Sequence, residues 1–302
     1  MVRARANDGA SARVWLRAIR PATLPAGASG VVVGLGAALA VGTPFRIDAA
    51  LLCLAVALLL QIAANLANDL SDFRRGADQP DRAGPLRVAA AGLVTARQLE
   101  IAIGVVLGAA GMAGLALAVI GGPAILIVGV LAMIALLAYT GGPWPYGYHA
   151  LGEPFVFLFF GPVAVTGTAF LQAGRIEPLF LVAALPVGAL ITAILVVNNL
   201  RDVDSDRVAG KRTVAVVLGP AATRLEYVGL VIGACLVPIL AALVGGRATL
   251  LLPLATAPLA VPLVRVVRAE GDPRRLNPVL RDTARLTLGF SLLFAAGLAL
   301  SK

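Results

Sequence analysis

Charged residues are scarce in this sequence. Asp, Glu, Lys and Arg make up 14% of its 302 residues, whereas 59% are hydrophobic and the mean hydropathy is +0.92. Soluble domains carry about 25% charged residues. The composition therefore excludes an ordinary soluble domain and indicates a polytopic membrane protein.

Histidine and cysteine are nearly absent as well. The single histidine, His149, excludes a metal centre built from several histidines. The two cysteines, Cys53 and Cys235, each lie in an apolar stretch, so we expect two small core residues and not a disulfide bond.

Long apolar segments fill most of the chain. A transmembrane helix needs about 17–25 predominantly apolar residues. Nine segments separated by turn signals meet that requirement: 22–42, 48–70, 98–120, 123–140, 152–172, 178–201, 222–244, 248–268 and 281–300. The first is too long for the core of a signal peptide, so we expect it to be retained. We predict an all-α fold, a single domain over residues 1–302, in which about nine transmembrane helices form a bundle around a central cavity.

Aromatic residues are also few, at 5% of the chain. One group of four falls at the junction of the fourth and fifth apolar segments: Tyr139, Trp144, Tyr146 and Tyr148. We expect this group in the aromatic belt at the membrane interface, where one member could line a pocket.

The basic residues are unevenly divided between the two ends of the helices. If the N-terminus is cytoplasmic, 21 of the 25 Lys and Arg residues lie on that side, in the N-terminal segment and in three loops. This satisfies the positive-inside rule. We therefore predict a multi-pass protein of the cell membrane whose N-terminus and active-site loops are cytoplasmic. The net charge of +9 follows from this topology, and no nucleic-acid partner is expected.

The acidic residues concentrate on the same side. Of sixteen Asp and Glu residues, only Asp48 and Glu177 fall on the opposite face. The positive-inside rule concerns Lys and Arg and does not require acids to follow them. We therefore expect that a function at the cytoplasmic face needs these acids.

Two clusters of polar residues stand at the ends of the second and sixth apolar segments. In each cluster an Asn precedes an Asp by four positions, and a further Asp follows three or four positions later. Such spacings place the side chains on roughly one helical face. The repeat indicates either an ancestral duplication or two facing halves of one site. The first cluster comprises Asn65, Asn68, Asp69 and Asp72, and the second comprises Asn198, Asn199, Asp202 and Asp206.

The composition of the two clusters indicates a site for a phosphorylated ligand. Carboxylates grouped on one face repel each other unless cations lie nearby, and ionisable groups in membrane helices usually mark functional sites. Asn and Asp oxygens suit Mg²⁺, which is held by one or two carboxylates, several waters and phosphate oxygens. Arg and Lys would hold the rest of such a ligand. We therefore predict ionisation of an allylic diphosphate, because metal ions and cations stabilise its leaving group.

Five sequence blocks carry a resemblance to a known family. They are RPATLP (20–25), NDLSDFRRGAD (68–78), YTGGPWPYGYHALGE (139–153), NNLRDVDSDRVAGKRTVAVVLG (198–219) and LNPVLRDTARL (276–286). In these blocks the sequence resembles the UbiA superfamily of intramembrane prenyltransferases, whose members have nine spans. The closest resemblance is to its MenA branch, which acts on 1,4-dihydroxy-2-naphthoate. Two positions depart from that branch: Leu70 stands where an aromatic residue is usual, and Ala150 where glycine is expected.

The resemblance also implies roles for individual residues. Four aspartates are implied to be catalytic and to bind metal, namely Asp69, Asp72, Asp202 and Asp206, and Asp78 is implied to be a further metal ligand. Nine residues are implied to bind substrate: Arg20, Asn65, Asn68, Arg87, Glu153, Asn198, Asn199, Arg201 and Lys211. A general base is not identified, and the candidates are Glu153 and the aspartates of the clusters.

The reaction implied by the resemblance depends on Mg²⁺. A polyprenyl diphosphate alkylates 1,4-dihydroxy-2-naphthoate at the carbon that bears the carboxylate, carbon dioxide and pyrophosphate leave, and demethylmenaquinone forms on the route to menaquinone. Two alternatives stay open. One is the same chemistry on 4-hydroxybenzoate or homogentisate. The other is an ion-coupled transporter, which is the weaker alternative because transporter sites lie near the bilayer midplane, whereas these acids cluster at one face.

Overall fold

The computed structural model describes residues 11–76, 83–269 and 271–301, which are almost entirely helical. Within them the α-helices are α1 Ala12–Ile19, α2 Leu24–Ala40, α3 Ile47–Arg74, α4 Ala96–Gly121, α5 Pro123–Ala138, α6 Gly152–Leu158, α7 Ala164–Ala173, α8 Pro178–Arg201, α9 Val203–Val208, α10 Val214–Gly245, α11 Ala257–Ala269 and α12 Leu276–Ala299. A π-helical turn at Phe159–Val163 joins α6 to α7, and a 3₁₀ stretch at Ala248–Thr256 leads into α11. The described residues contain no β-strand, and only an isolated bridge pairs His149 with Arg212. The prediction of an all-α fold is confirmed.

Each predicted transmembrane segment coincides with a helix or a helical run. Among the described residues, seven runs are long and apolar enough to cross a membrane: Ala12–Ala40, Ile47–Arg74, Ala96–Gly121, Gly152–Ala173, Pro178–Arg201, Val214–Gly245 and Ala248–Ala269. Of the other two predicted segments, α5 is apolar but has only 16 residues. The last helix, α12, has 24 residues and carries Arg281, Asp282 and Arg285 before its apolar part. The count of about nine is therefore approximate.

The seventh predicted segment begins later than the helix that contains it. We predicted 222–244, whereas α10 starts at Val214. The helix starts early because the Thr213 hydroxyl accepts a hydrogen bond from the Val216 N–H at 3.4 Å and caps the first turn. The backbone then bends at Gly219, whose φ is 82°. Hydropathy marks the apolar part of a helix and not its capped first turns.

Helix α8 lies at the centre of the bundle. Its sequence is apolar on all sides, and most of its residues are buried, with α2, α10 and α12 among its neighbours. A helix that is hydrophobic all round is expected in a core. At its C-terminal end the apolar sequence gives way to Asn198, Asn199 and Arg201. The central helix therefore presents the second polar cluster at one end of the bundle.

The close packing of α2 depends on glycine. A Cβ at Gly34 would lie 2.6 Å from the Val165 carbonyl oxygen, and one at Gly36 would lie 2.5 Å from the Ala295 Cα. The backbone of α2 thus approaches α7 and α12 directly, as small residues allow in membrane helices. In contrast, Val119 on α4 is 88% exposed, which is the behaviour expected of a lipid-facing side chain.

Candidate active site

The carboxylate of Asp72, near the end of α3, is the point at which three segments of the chain meet. Arg87 Nη2 donates to its Oδ2 at 2.6 Å, Lys211 Nζ to its Oδ1 at 3.0 Å, and the Tyr148 hydroxyl to its Oδ1 at 3.3 Å. Asp72 is only 2% exposed. This buried anion is therefore compensated by cations of the protein. The contacts join the first cluster to the loop of Lys211 and to the aromatic block.

Lys211 joins the two acidic clusters. Its Nζ lies 3.0 Å from Asp72 Oδ1 and 3.7 Å from Asp206 Oδ1. The backbone N–H of Lys211 also donates to the Asp206 carbonyl at 2.8 Å, in the turn that follows α9. Carboxylates of both clusters therefore face one ammonium group, as expected for two facing halves of one site.

Tyr148 lies inside this site. Tyr146 and Tyr148 are each 8% exposed, whereas Trp144 is 58% exposed. Two members of the aromatic group, Tyr146 and Tyr148, are therefore buried in the protein. Burial, followed by the nearby Asp72 carboxylate, raises the pKa of the Tyr148 phenol. The phenol consequently stays protonated and can donate to Asp72, while Arg75 lies over the same ring at 5.3 Å from its centroid.

Asp69 holds the loop that follows the first cluster. Its Oδ2 accepts a hydrogen bond from the Val88 N–H at 3.1 Å, and its Oδ1 accepts one from the Ala89 N–H at 3.2 Å. The loop fixed in this way carries Arg87, the partner of Asp72. An ionised carboxylate offers about four lone-pair sites. Asp69 therefore keeps capacity for a further ligand while it shapes the loop.

Arg201 and Asp202 form a buried bidentate ion pair at the end of α8. Arg201 Nε donates to Asp202 Oδ1 at 2.8 Å and Nη2 to Oδ2 at 2.7 Å, with both side chains 2% exposed. Arg201 Nη2 also donates to Asn198 Oδ1 at 2.7 Å. Such fork-shaped pairing fixes the plane of a guanidinium. Asn198 and Asp202 of the second cluster thus form one network with Arg201.

Asn199 contacts a different predicted residue, Glu153 in the first turn of α6. Asn199 Nδ2 donates to Glu153 Oε1 at 2.8 Å, and both residues are buried. Glu153 Oε2 is inaccessible to solvent and has no hydrogen-bond partner among the described residues. Close by in sequence, Phe155 stacks on Tyr146 with ring centroids 4.3 Å apart. A buried acceptor without a partner is costly, so Oε2 is a candidate position for the hydroxyl of an aromatic ligand.

Two predicted substrate-binding residues hold the protein's own N-terminal segment. Asn65 Nδ2 donates to the Ile19 carbonyl at 2.8 Å and to Thr23 Oγ1 at 2.9 Å, which ties this segment to α3. Arg20 adopts a left-handed conformation, with φ of 55°, at the end of α1. Its carbonyl accepts from the Thr23 hydroxyl at 3.0 Å. Asn65 thus ties the N-terminal segment to α3, and the backbone of Arg20 forms the turn after α1, while the substrate contacts of both residues stay a prediction.

The oxygen-rich set of donors fits a hard divalent cation. Within the described residues, no three His, Cys, Asp or Glu side chains converge on a preformed metal centre. Mg²⁺ needs only one or two carboxylates when phosphate and water complete its shell, and Asp72 and Asp206 are two carboxylates that share Lys211. Asn68, one helical turn before Asp72, accepts from the Thr140 hydroxyl at 2.9 Å. Asp78, predicted as a further ligand, lies outside the described residues.

Comparison with known proteins identifies the family. The sequence profile of the UbiA prenyltransferase family matches residues 29–278. The chain belongs to this family. The 1,4-dihydroxy-2-naphthoate octaprenyltransferases of Mycobacterium tuberculosis and Escherichia coli are 42% and 38% identical to it. The two alignments cover 97% and 96% of this chain and 99% and 96% of those proteins.

Solved structures share the fold of this UbiA family member. A UbiA homologue from Aeropyrum pernix superposes with a TM-score of 0.67 at 18% identity, over 91% of this chain and 97% of that chain. A homologue from Archaeoglobus fulgidus bound to GPP and Mg²⁺ superposes with a TM-score of 0.64 at 14% identity, over 93% and 99% of the two chains. The likeness shows the fold, and with the apolar helices it identifies a multi-pass membrane protein.

Proposed function

We propose that this UbiA family member transfers a polyprenyl group from an allylic polyprenyl diphosphate to 1,4-dihydroxy-2-naphthoate, as a step of menaquinone biosynthesis. Four relatives that carry the name of this activity, at 33–42% identity, support the proposal. The observation that carries it is the contact of Lys211 with both Asp72 and Asp206. A polyanionic leaving group needs such alternating charges around it, because cations stabilise the charge that develops there.

The diphosphate of the donor binds among the cations that pair with the carboxylates of the two clusters. Arg87, Lys211 and Arg201 each pair with a cluster carboxylate and so stand where phosphate oxygens can replace or join that partner. As the allylic C–O bond breaks, its electron pair moves onto the pyrophosphate. Cations held in place stabilise this charge more in the transition state than in the ground state, which is what accelerates the step.

The carboxylates of the same site would hold Mg²⁺. Asp72 and Asp206 are the first candidates because they share one ammonium partner, and Asp69, Asp202 and Asp78 are the further predicted ligands. When bound, Mg²⁺ would neutralise phosphate charge and act as a Lewis acid on the leaving group. Asp69 and Asp202 also have a second role. Asp69 fixes the loop that carries Arg87, and Asp202 fixes the Arg201 guanidinium.

The acceptor half of the site lies at Glu153. Asn199 fixes Oε1 of this carboxylate, and its buried Oε2, which has no partner within the described residues, accepts the proton of a ring hydroxyl. The electron-rich ring then attacks the allylic cation through the carbon that bears its carboxylate, and a C–C bond forms. Carbon dioxide leaves, its bonding electron pair restores the aromatic ring, and Glu153 returns the proton to the ring oxygen. The product is demethylmenaquinone in its hydroquinone form.

We also propose on which side of the membrane the site lies. The basic N-terminal segment and loops lie in the cytoplasm and the chain in the cell membrane, as the positive-inside rule requires. The polar acceptor and the diphosphate then reach the site from the cytoplasm, while the polyprenyl tail stays in the bilayer. Residues 1–302 act as a single domain in this proposal.

A direct assay tests the function. The protein is purified, reconstituted in lipid and given MgCl₂, a polyprenyl diphosphate and one acceptor: 1,4-dihydroxy-2-naphthoate, 4-hydroxybenzoate or homogentisate. We expect mass spectrometry to detect a prenylated product that has lost carbon dioxide, and only with the naphthoate. If only another acceptor gives a prenylated product, that acceptor and not the naphthoate is the substrate, and the proposal is wrong on this point. Mg²⁺-independent uptake into vesicles without pyrophosphate release would favour a transporter instead.

A further inference from the structure

Asn277, the second residue of α12, links three separate segments beside the second cluster. Its Nδ2 donates to the Ala83 carbonyl at 2.8 Å and to the Arg274 carbonyl at 3.1 Å, and its Oδ1 accepts from Arg201 Nη1 at 3.0 Å. A primary amide has two N–H donors and one carbonyl acceptor. Every polar group of this side chain is therefore engaged, and one of its partners is a cation of the proposed diphosphate site.

The hydrogen bond from Arg201 to Asn277 is one of four that hold the guanidinium of Arg201 in place. A guanidinium has five N–H donors, and four of those on Arg201 have partners within the described residues. Three, from Nε and Nη2, go to Asp202 and Asn198, and one, from Nη1, goes to Asn277. Asn277 therefore holds the one terminal nitrogen that Asp202 and Asn198 do not reach, and the remaining Nη1 N–H has a defined direction.

The loop that Asn277 holds lies directly on the same guanidinium. A Cβ built on Gly84 would come within 2.9 Å of Arg201 Nη2 and 3.1 Å of its Cζ. Only a residue without a side chain can occupy this position without displacing the arginine. Three residues further on, the loop carries Arg87, which pairs with Asp72 of the first cluster at 2.6 Å.

We propose that Asn277 is a positioning residue for the donor diphosphate. It orients Arg201 and, through the Ala83 carbonyl, ties to it the loop that carries Arg87. A single amide on α12 thereby couples Arg201, the partner of Asp202 in the second cluster, to Arg87, the partner of Asp72 in the first cluster. The inference rests on the proposed function, in which both arginines bind the diphosphate, and it assigns Asn277 no contact with the substrate.

The variant Asn277→Ala tests this role in the full-length reconstituted protein. Steady-state assays give KM for each substrate, and calorimetry with inorganic pyrophosphate and Mg²⁺ gives a Kd without turnover. A hydrogen bond to a charged group is worth about a factor of 10 to 150. Because Arg201 keeps its three bonds to Asp202 and Asn198, we expect the low end of this range, a rise of about tenfold in KM for the donor and in Kd for pyrophosphate. KM for the acceptor and Tm should stay unchanged. Asp282→Asn is the matched control, because Asp282 lies on the same helix and pairs at the surface with Arg281 and Arg285.

A double-variant cycle separates positioning from general stability. If Asn277 acts through Arg201, then Asn277→Ala should cause a much smaller loss in a protein that already carries Arg201→Ala, and only the part that depends on the Arg87 loop should be left. Losses that multiply independently, or an equal rise of KM for the acceptor, would overturn the inference. Should Asn277→Ala not fold, Gly84→Ala displaces the same guanidinium with Asn277 intact, and an unchanged donor KM in that variant would overturn it too. The Kd for pyrophosphate tests the role of Asn277 even if the assay with several acceptors shows that the naphthoate is not the substrate.

Discussion

Replacing Lys211 with methionine removes an ammonium group that contacts both acidic clusters. Methionine keeps most of the length of the lysine side chain. It removes the ammonium group, which lies 5.0 Å from the Tyr148 ring centroid and is shared by Asp72 and Asp206. A hydrogen bond to a charged group contributes about 1.5–3 kcal/mol, and about 1.4 kcal/mol is a factor of ten in rate. We therefore expect kcat/KM for the donor to fall by about 10- to 150-fold.

The neighbouring Arg212 provides a matched control. This residue is exposed, and its backbone N–H donates to the Tyr148 carbonyl at 3.0 Å, a bond that survives any side-chain change. Arg212→Met should therefore keep kcat/KM within about twofold, because exposed charges contribute little. Initial rates of product formation at saturating acceptor measure the effect, and Tm verifies the fold. Equal losses in the two variants would refute the reasoning, because the charge of the loop and not the contact with the clusters would then matter.

Three further predictions each concern a single residue. Glu153→Gln removes the proposed base and is expected to lower kcat about 100-fold with donor KM unchanged in steady-state assays; an unaltered kcat would exclude that role. Asp202→Asn leaves Arg201 buried beside a neutral amide and should lower the free energy of unfolding by about 3–5 kcal/mol. An unfolding titration measures this loss, and an unshifted midpoint would contradict the stabilising role of the ion pair. Ala150 has a φ of 56°, a left-handed conformation that costs a non-glycine residue about 1–2 kcal/mol. Ala150→Gly should therefore raise Tm without changing kcat, and a lower Tm would count against the strain.

Hydropathy was sufficient to predict the helices, and the positions of the acidic residues predicted the end of the bundle at which the candidate site lies. Apolar runs long enough to span a bilayer have few other stable conformations, because backbone polar groups in lipid must be satisfied within the helix. The same spacing of Asn and Asp predicted both clusters, and Asp72 and Asp206 do meet at Lys211. The first turns of α10 were missed because they are set by the Thr213 cap and not by hydropathy.

The partners of individual side chains could not be predicted from the sequence. Asp69 and Asp72 carry the same charge one turn apart, yet Asp69 accepts from backbone N–H groups and Asp72 from cations. This difference depends on where the loop of residues 83–94 returns, which no local pattern encodes. Asn277 was overlooked for the same reason, since its contacts with Arg201 and Ala83 span 76 and 194 positions. Ala150 did carry a signal, because glycine was expected at the position where φ is positive.

The stoichiometry of the reaction tests the central claim most directly. The reconstituted protein is given MgCl₂, a polyprenyl diphosphate and 1,4-dihydroxy-2-naphthoate labelled with ¹⁴C in its carboxylate, and released carbon dioxide, pyrophosphate and prenylated product are counted together. We predict that the three appear in equal amounts, because one C–O bond and one ring–carboxylate bond break for each C–C bond formed. Prenylated product without labelled carbon dioxide, or carbon dioxide without pyrophosphate, would contradict the account.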